Sequence, residues 1–398
     1  MLRAITIAAF AVAAFTHCSA AEKKYGPGVS DTEIRIGQTM PYSGPVSFYG
    51  IEGRAQEAYF RKVNEAGGVN GRKINLVTLD DAFSPPKTVE ATRRMVEQDG
   101  VLFTFSSVGT AAQTAVQKYL TTKKVPQLFL STGASKWDNP KEFPWTTPIL
   151  VLYSTEGEIY GRYILETKPD AKIAILMQND DFGKDFVAGF KRALGDKAKT
   201  MIVKEVPFEV AEPTLDAQII ALKQSGADTI YDVSLGKQTA QVIKKLAEMN
   251  WKPVHLIVGT SAGKPILDAA GLDNAKGIIS ATPYKQASSP AFVNDPDVVE
   301  FRAFMKKYLP NDDPSNEIGF IAYSWAVLLT KILGTMGDDL TQESIVAKVT
   351  NMKGLTSPAL LPGISYNTTP TDYAALKTLR LQKFNGETWD KIKDVTVQ

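Results

Sequence analysis

The stretch Glu33-Ile-Arg-Ile-Gly-Gln-Thr-Met-Pro-Tyr-Ser-Gly-Pro-Val-Ser-Phe-Tyr-Gly50 decides the fold. Its first half is a short apolar strand, and Gly44 and Pro45 then set a turn that hands the chain to a long amphipathic helix. A strand running through a glycine-punctuated loop into a helix is the unit of open α/β folds. Such folds bind ligands where the carboxyl edge of the sheet meets helix N-termini. Phe48 and Tyr49 put two aromatic faces at that position, so the stretch reads as the lip of a small-molecule site.

Outward from this stretch, apolar strand runs alternate with helical patterns. The runs fall at Ile34–Gly37, Ile74–Leu79, Val101–Phe105, Gln127–Leu130, Ile173–Met177, Met201–Val206, Thr229–Val233 and His255–Val258. Alternation of this kind predicts a parallel sheet covered on both faces. The pattern repeats on either side of Pro140, Pro144 and Pro148, which predicts two similar lobes with a first crossing there. An acidic residue in Asp181-Phe-Gly-Lys-Asp185 is expected to cap the helix that runs through Leu194, and Pro265 and Pro296 suit first-turn positions. The apolar segment Ile318–Leu329 falls short of the ~20 residues a membrane span needs and reads as a buried helix.

The front end has the layout of a signal peptide over residues 1–21: Arg3, an apolar core from Ala4 to Phe15, and small residues at Cys18-Ser-Ala-Ala21. Cys18 raises the alternative of a lipid anchor, against which Thr16 and His17 stand where small residues are wanted. Cleavage after Ala20 or Ala21 removes the single cysteine, so the mature chain is expected to rely on its core and not on disulfides. A net charge of +2 with no basic run interleaved with aromatics argues against nucleic acid as a partner. Asp80-Asp81 and Asn311-Asp-Asp-Pro314 lack calcium-loop spacing, so no metal is expected.

One motif suggests catalysis. Gly259-Thr-Ser-Ala-Gly263 fits the G-x-S-x-G nucleophile elbow. No histidine follows Ser261, and His255 lies in the strand just upstream, so the serine has no base and an esterase is the weakest reading.

Several motifs together carry a resemblance. The opening stretch, Asn64-Glu-Ala-Gly-Gly-Val-Asn-Gly-Arg72, Leu79-Asp-Asp-Ala82 and Tyr323-Ser-Trp-Ala-Val-Leu-Leu329 occur in the order seen in the periplasmic solute-binding proteins of the branched-chain amino acid type, and the chain resembles that family over nearly its whole length. The resemblance implies a type I fold: α/β, with two doubly wound parallel-sheet lobes joined by three crossing segments. Lobe 1 would comprise residues 30–148 and 283–360, and lobe 2 residues 149–282 and 361–398. A third crossing between Pro358 and Pro370 would return Leu376–Phe384 to the second lobe. It further implies a monomeric periplasmic receptor without cofactor that passes its ligand to a membrane ABC permease by hinge closure. A ligand-presenting sensor for a signalling partner is the rival class.

The same resemblance indicates contact positions. Ser106-Ser-Val-Gly-Thr110 and Ser131-Thr-Gly-Ala-Ser135 look like the two loops that hold a ligand carboxylate, through Val108, Thr110, Gly133, Ala134 and Ser135. Helix N-termini favour such anions. Phe48, Tyr49, Phe182, Leu235 and Tyr284 would form walls. Ser261 stands where the amino-acid-binding relatives carry the acidic partner of the ammonium, and Phe182 where leucine-type receptors often carry tyrosine. Burying an unpaired ammonium is costly, so an apolar or aromatic carboxylate is expected before an amino acid, unless Asp232 substitutes. A branched-chain amino acid receptor is the alternative.

Overall fold

The computed structural model describes residues 23–397, so the expected signal peptide, residues 1–21, lies outside the described residues. The quoted stretch supplies the strand Glu33–Met40 of a five-stranded parallel sheet. The strand order is Lys73–Asp80, Glu33–Met40, Thr104–Phe105, Gln127–Leu130, Thr146–Pro148. Register runs unbroken from Glu33 opposite Lys73 to Met40 opposite Asp80. The next strand in sequence lies on one side of Glu33–Met40 and the one after it on the other, so this strand borders the switch point where open α/β sheets take ligands.

A seven-stranded sheet forms the second lobe, in the order Trp389–Thr396, Thr378–Phe384, Ile279–Thr282, Val254–Ile257, Thr229–Val233, Ile173–Gln178, Ile202–Phe208. Five of these strands are parallel, whereas Thr378–Phe384 and Trp389–Thr396 pair antiparallel. Sequence alternation did not mark Ile279–Thr282 or the final strand. The last, Trp389-Asp-Lys-Ile-Lys-Asp-Val-Thr396, carries charges along an exposed edge, which discourages pairing with other chains and dilutes the strand signal. The expected strand at Val101–Phe105 is narrower. Only Thr104–Phe105 joins the ladder, while buried Leu102 and Phe103 each make one backbone bond, to Arg35 and Gly37.

The helix Glu317–Gly334 is apolar enough by length and composition to cross a membrane, yet 72% of it is buried within the protein. Ala322, Trp325, Ala326 and Leu329 are buried in the main core, and the helix packs on Gly50–Glu65. Pro265 and Pro296 do occupy first-turn positions. The cap of helix Asp181–Leu194 is Asp180, whose carboxylate accepts the Gly183 N–H at 3.2 Å.

Helices Tyr153–Thr167 and Asp181–Leu194 approach closely because glycines line their contact. A Cβ at Gly157 would run into the Phe186 carbonyl, and one at Gly189 into the Ser154 carbonyl. Gly189→Ala is therefore expected to destabilise the protein by about 2 kcal/mol, read as a lower denaturant midpoint at unchanged slope. The first of these helices carries Tyr153 and Glu156 to the cavity between the sheets.

Candidate functional site

A cavity of about 130 Å³ lies between the two lobes. Its anion-ready corner is the head of helix Thr110–Lys123. Gly109 precedes it at φ 100, where a Cβ would stand 2.6 Å from the Phe83 ring, and no side chain caps the first amides. Thr110 is buried, and its hydroxyl lies 2.6 Å from that of Thr132. A short bridge pairs Val108 with Ser131, bringing the second loop against the first.

Glu52, in the first turn of helix Gly50–Glu65, reaches the same corner. The Ser131 side chain lies beside its carboxyl, and burial pushes its pKa up to about 8. Only 3% of Glu52 is exposed, and its Oε2 has no hydrogen-bond partner. Glu156 enters from the second lobe. It accepts from the Gly259 N–H at 2.6 Å and the Tyr160 hydroxyl at 2.8 Å, and burial pushes it up to about 7. Glu317 also lines the cavity. Its carboxylate accepts from the Lys264 N–H at 2.6 Å and from the Ser288 hydroxyl, and burial raises its pKa. The one lysine or arginine among the described lining residues, Lys285, is already committed to Asp295 at 2.8 Å and Asp297 at 2.7 Å. The cavity thus holds acidic groups and no uncommitted cation.

Aromatic rings form much of the wall: Tyr49, Phe83, Tyr153, Phe182, Tyr284 and Trp325. Tyr153 is fixed edge-on to Phe182 at 5.0 Å and stacked on Phe186 at 4.4 Å. The Tyr284 hydroxyl, Trp325 Nε1 and Thr260 Oγ1, on residues that line the cavity, are buried without hydrogen-bond partners.

Of the residues singled out from sequence, Tyr49, Val108, Thr110, Phe182, Leu235 and Tyr284 line the cavity. The others lie outside its lining. Phe48 packs on the second lobe at Gly236. Gly133 sits against Val151 and the Tyr153 ring, with no room for a Cβ, and Ala134 is buried beside it. The Ser135 amide and hydroxyl both donate to Asp185, at 2.8 and 3.0 Å, so this loop fastens one lobe to the other. The Ser261 hydroxyl is buried and donates to the Ser234 carbonyl at 2.7 Å. It faces neither ligand nor base, and its neighbours Thr260 and Ala262 line the cavity instead. Asp232 is no substitute for an acidic ligand contact, because it is buried with Ser234 and His255, the latter at 3.3 Å.

Glu52, Glu156, Tyr153 and Trp325 were not anticipated. Tyr153, Glu156 and Tyr160 recur at helical spacing on a buried stripe, and a carboxylate on such a stripe is the signal that could have found Glu156. Among the described residues no group of His, Cys, Asp and Glu is arranged to hold a metal.

Comparison with known proteins bears on the family and the fold. The family model described as periplasmic binding protein matches residues 33–387. The Leu/Ile/Val-binding protein homolog 1 of Brucella suis is 26% identical over 230 residues, 56% of this chain and 60% of that protein, so the match spans less than two thirds of the relative. A branched-chain amino acid ABC transporter protein from Thermus thermophilus, solved with bound valine, superposes with a TM-score of 0.82 at 18% identity, covering 93% of this chain and 98% of its own. A solute-binding protein of an ABC transporter from Rhodopseudomonas palustris BisB5, in complex with 3,4-dihydroxybenzoic acid, superposes at 0.75 with 20% identity, covering 92% and 98%. With nearly all of its described residues inside the family match and the type I fold in place, the chain belongs to the periplasmic binding protein family.

Proposed function

We propose that this protein is a periplasmic receptor that delivers a small apolar α-amino acid to a membrane ABC permease by hinge closure. In this reading residues 30–148 with 283–360, and 149–282 with 361–398, are the lobes that close on the ligand, and the chain works as a monomer. The observation that carries the ligand class is the uncapped helix head at Thr110 together with the buried, unpartnered Oε2 of Glu52, with the Ser131 loop beside both. The carboxylate and ammonium of an α-amino acid share one carbon, so they need an anion site and a cation site side by side. The helix amides supply the first and Glu52 the second. The expected plain carboxylate rested on the absence of an acid at Ser261 and on the aromatic share of the cleft; Glu52 offers an acid elsewhere in the cavity.

Size narrows the choice. A 150 Å³ apolar cavity holds benzene, so about 130 Å³ suits a branched aliphatic chain or one small ring better than a long acyl chain. A second reading, an aromatic carboxylate without an amine, draws support from Glu52 itself. With its pKa near 8 it is protonated at neutral pH and can donate to an acid. The Rhodopseudomonas relative with its bound dihydroxybenzoic acid points the same way.

A thermal-shift panel of apolar amino acids, benzoate-like acids and fatty acids tests the proposal. Ligand at a hundred times its Kd adds about 2.7 kcal/mol to stability, so an amino acid should raise the melting temperature by several degrees. Shifts from aromatic acids alone would reject it. Thr110→Ala is expected to weaken binding only about fivefold, because the helix amides survive the substitution and one hydrogen bond is worth about 1 kcal/mol. Titration calorimetry reads this directly.

A further inference from the structure

We infer that Phe48 is a closure plug: an aromatic knob of the first lobe seated on Gly236 of the second, which stabilises the closed cleft without touching the ligand. The inference rests on the hinge reading above and concerns closure, not ligand class. Phe48 belongs to the lip that leaves strand Glu33–Met40, yet its ring packs on the apolar cluster of Ala240, Ile243, Ile257 and Ala262 in the other lobe. Gly236 shapes the seat. It has φ 52 and precedes helix Lys237–Glu248, and the three atoms nearest to a Cβ built there all belong to the Phe48 ring.

The plug reaches the ligand cavity through its neighbour. The Phe48 and Tyr49 rings lie 4.3 Å apart, and the Tyr49 hydroxyl donates to the Thr260 carbonyl of the second lobe at 3.2 Å. Tyr49 lines the cavity and Phe48 does not, so Phe48 is a positioning residue. Seating it removes apolar surface from water only when the lobes meet, which is the differential interaction that a conformational equilibrium requires.

Small-angle scattering from ligand-free protein tests this without any assumption about the ligand. Phe48→Ala should lower the closed-to-open ratio about tenfold, the share expected for a half-buried phenylalanine, and so raise the radius of gyration. Phe48→Leu should restore most of the compaction, which a merely local packing defect would not. Gly236→Ala should open the cleft further in the native background than in the Phe48→Ala background, because the clash with the ring adds to a backbone strain at φ 52 that both share. An unchanged radius of gyration in Phe48→Ala, or equal opening by Gly236→Ala in both backgrounds, would overturn the inference. Failure of the receptor reading would appear separately, as the absence of any ligand-induced thermal shift.

Discussion

Glu52→Gln should weaken the binding of an apolar amino acid by roughly a hundredfold or more, with the loss mainly in the dissociation rate. Truncating one partner of a buried charge pair costs about 2 to 5 kcal/mol, and Glu52 has neither a protein cation nor solvent to share that role. The amide keeps the size of the side chain, so the loss isolates the charge. The same substitution should stabilise ligand-free protein at pH 8 by about 4 kcal/mol, since it removes a group that gains by ionising mainly on unfolding. Calorimetry and denaturant melts on one pair of proteins read both effects. A variant that binds as tightly as the parent would remove Glu52 from the site.

The second large effect is on pH. Burial holds Glu52 up to about 8 and Glu156 up to about 7, from an ordinary value of 4.5. Between about pH 4.5 and 8 the unfolded chain has released these protons while the folded protein still holds them. The unfolded state therefore binds fewer protons, and stability falls as pH rises through that window before levelling off above the folded values. Glu52 contributes on the order of 5 kcal/mol to the fall and Glu156 on the order of 3 kcal/mol. An amino acid whose ammonium pairs with Glu52 lowers that group's folded pKa, so the bound protein should lose much less. Urea melts from pH 5 to pH 8.5, with and without ligand, measure this. A flat profile without ligand would mean that the two carboxyls are not buried as described.

How much of this was legible in the sequence depends on what local pattern can specify. Helix Thr110–Lys123, the strand-to-loop entry at Glu33–Gly50 and the aromatic walls at Tyr49 and Phe182 follow from short motifs whose geometry the backbone settles. Ser135 and Ser261 sit in the right loops, but which way a hydroxyl turns is decided by distant partners. Asp185 takes one and the Ser234 carbonyl takes the other. Glu52 reads as an ordinary first-turn acid, favourable at any helix N-terminus. Only the meeting of its helix with the Ser131 loop turns it into a buried, unpartnered carboxyl. Phe48 was legible as an aromatic at the lip, whereas its seat on Gly236 exists only when the lobes come together.

The central claim is that Glu52 receives a cationic amine beside a carboxylate held at the head of helix Thr110–Lys123. The most direct test is calorimetry with leucine, phenylalanine and benzoate at pH 7 in buffers of different ionisation enthalpy, which counts protons released per ligand. Glu52 is mostly protonated at that pH, with a pKa of about 8. Pairing it with an ammonium should therefore expel close to one proton per amino acid bound, and this release should vanish in Glu52→Gln. Tight benzoate binding with no proton release, and silence from both amino acids, would contradict the account.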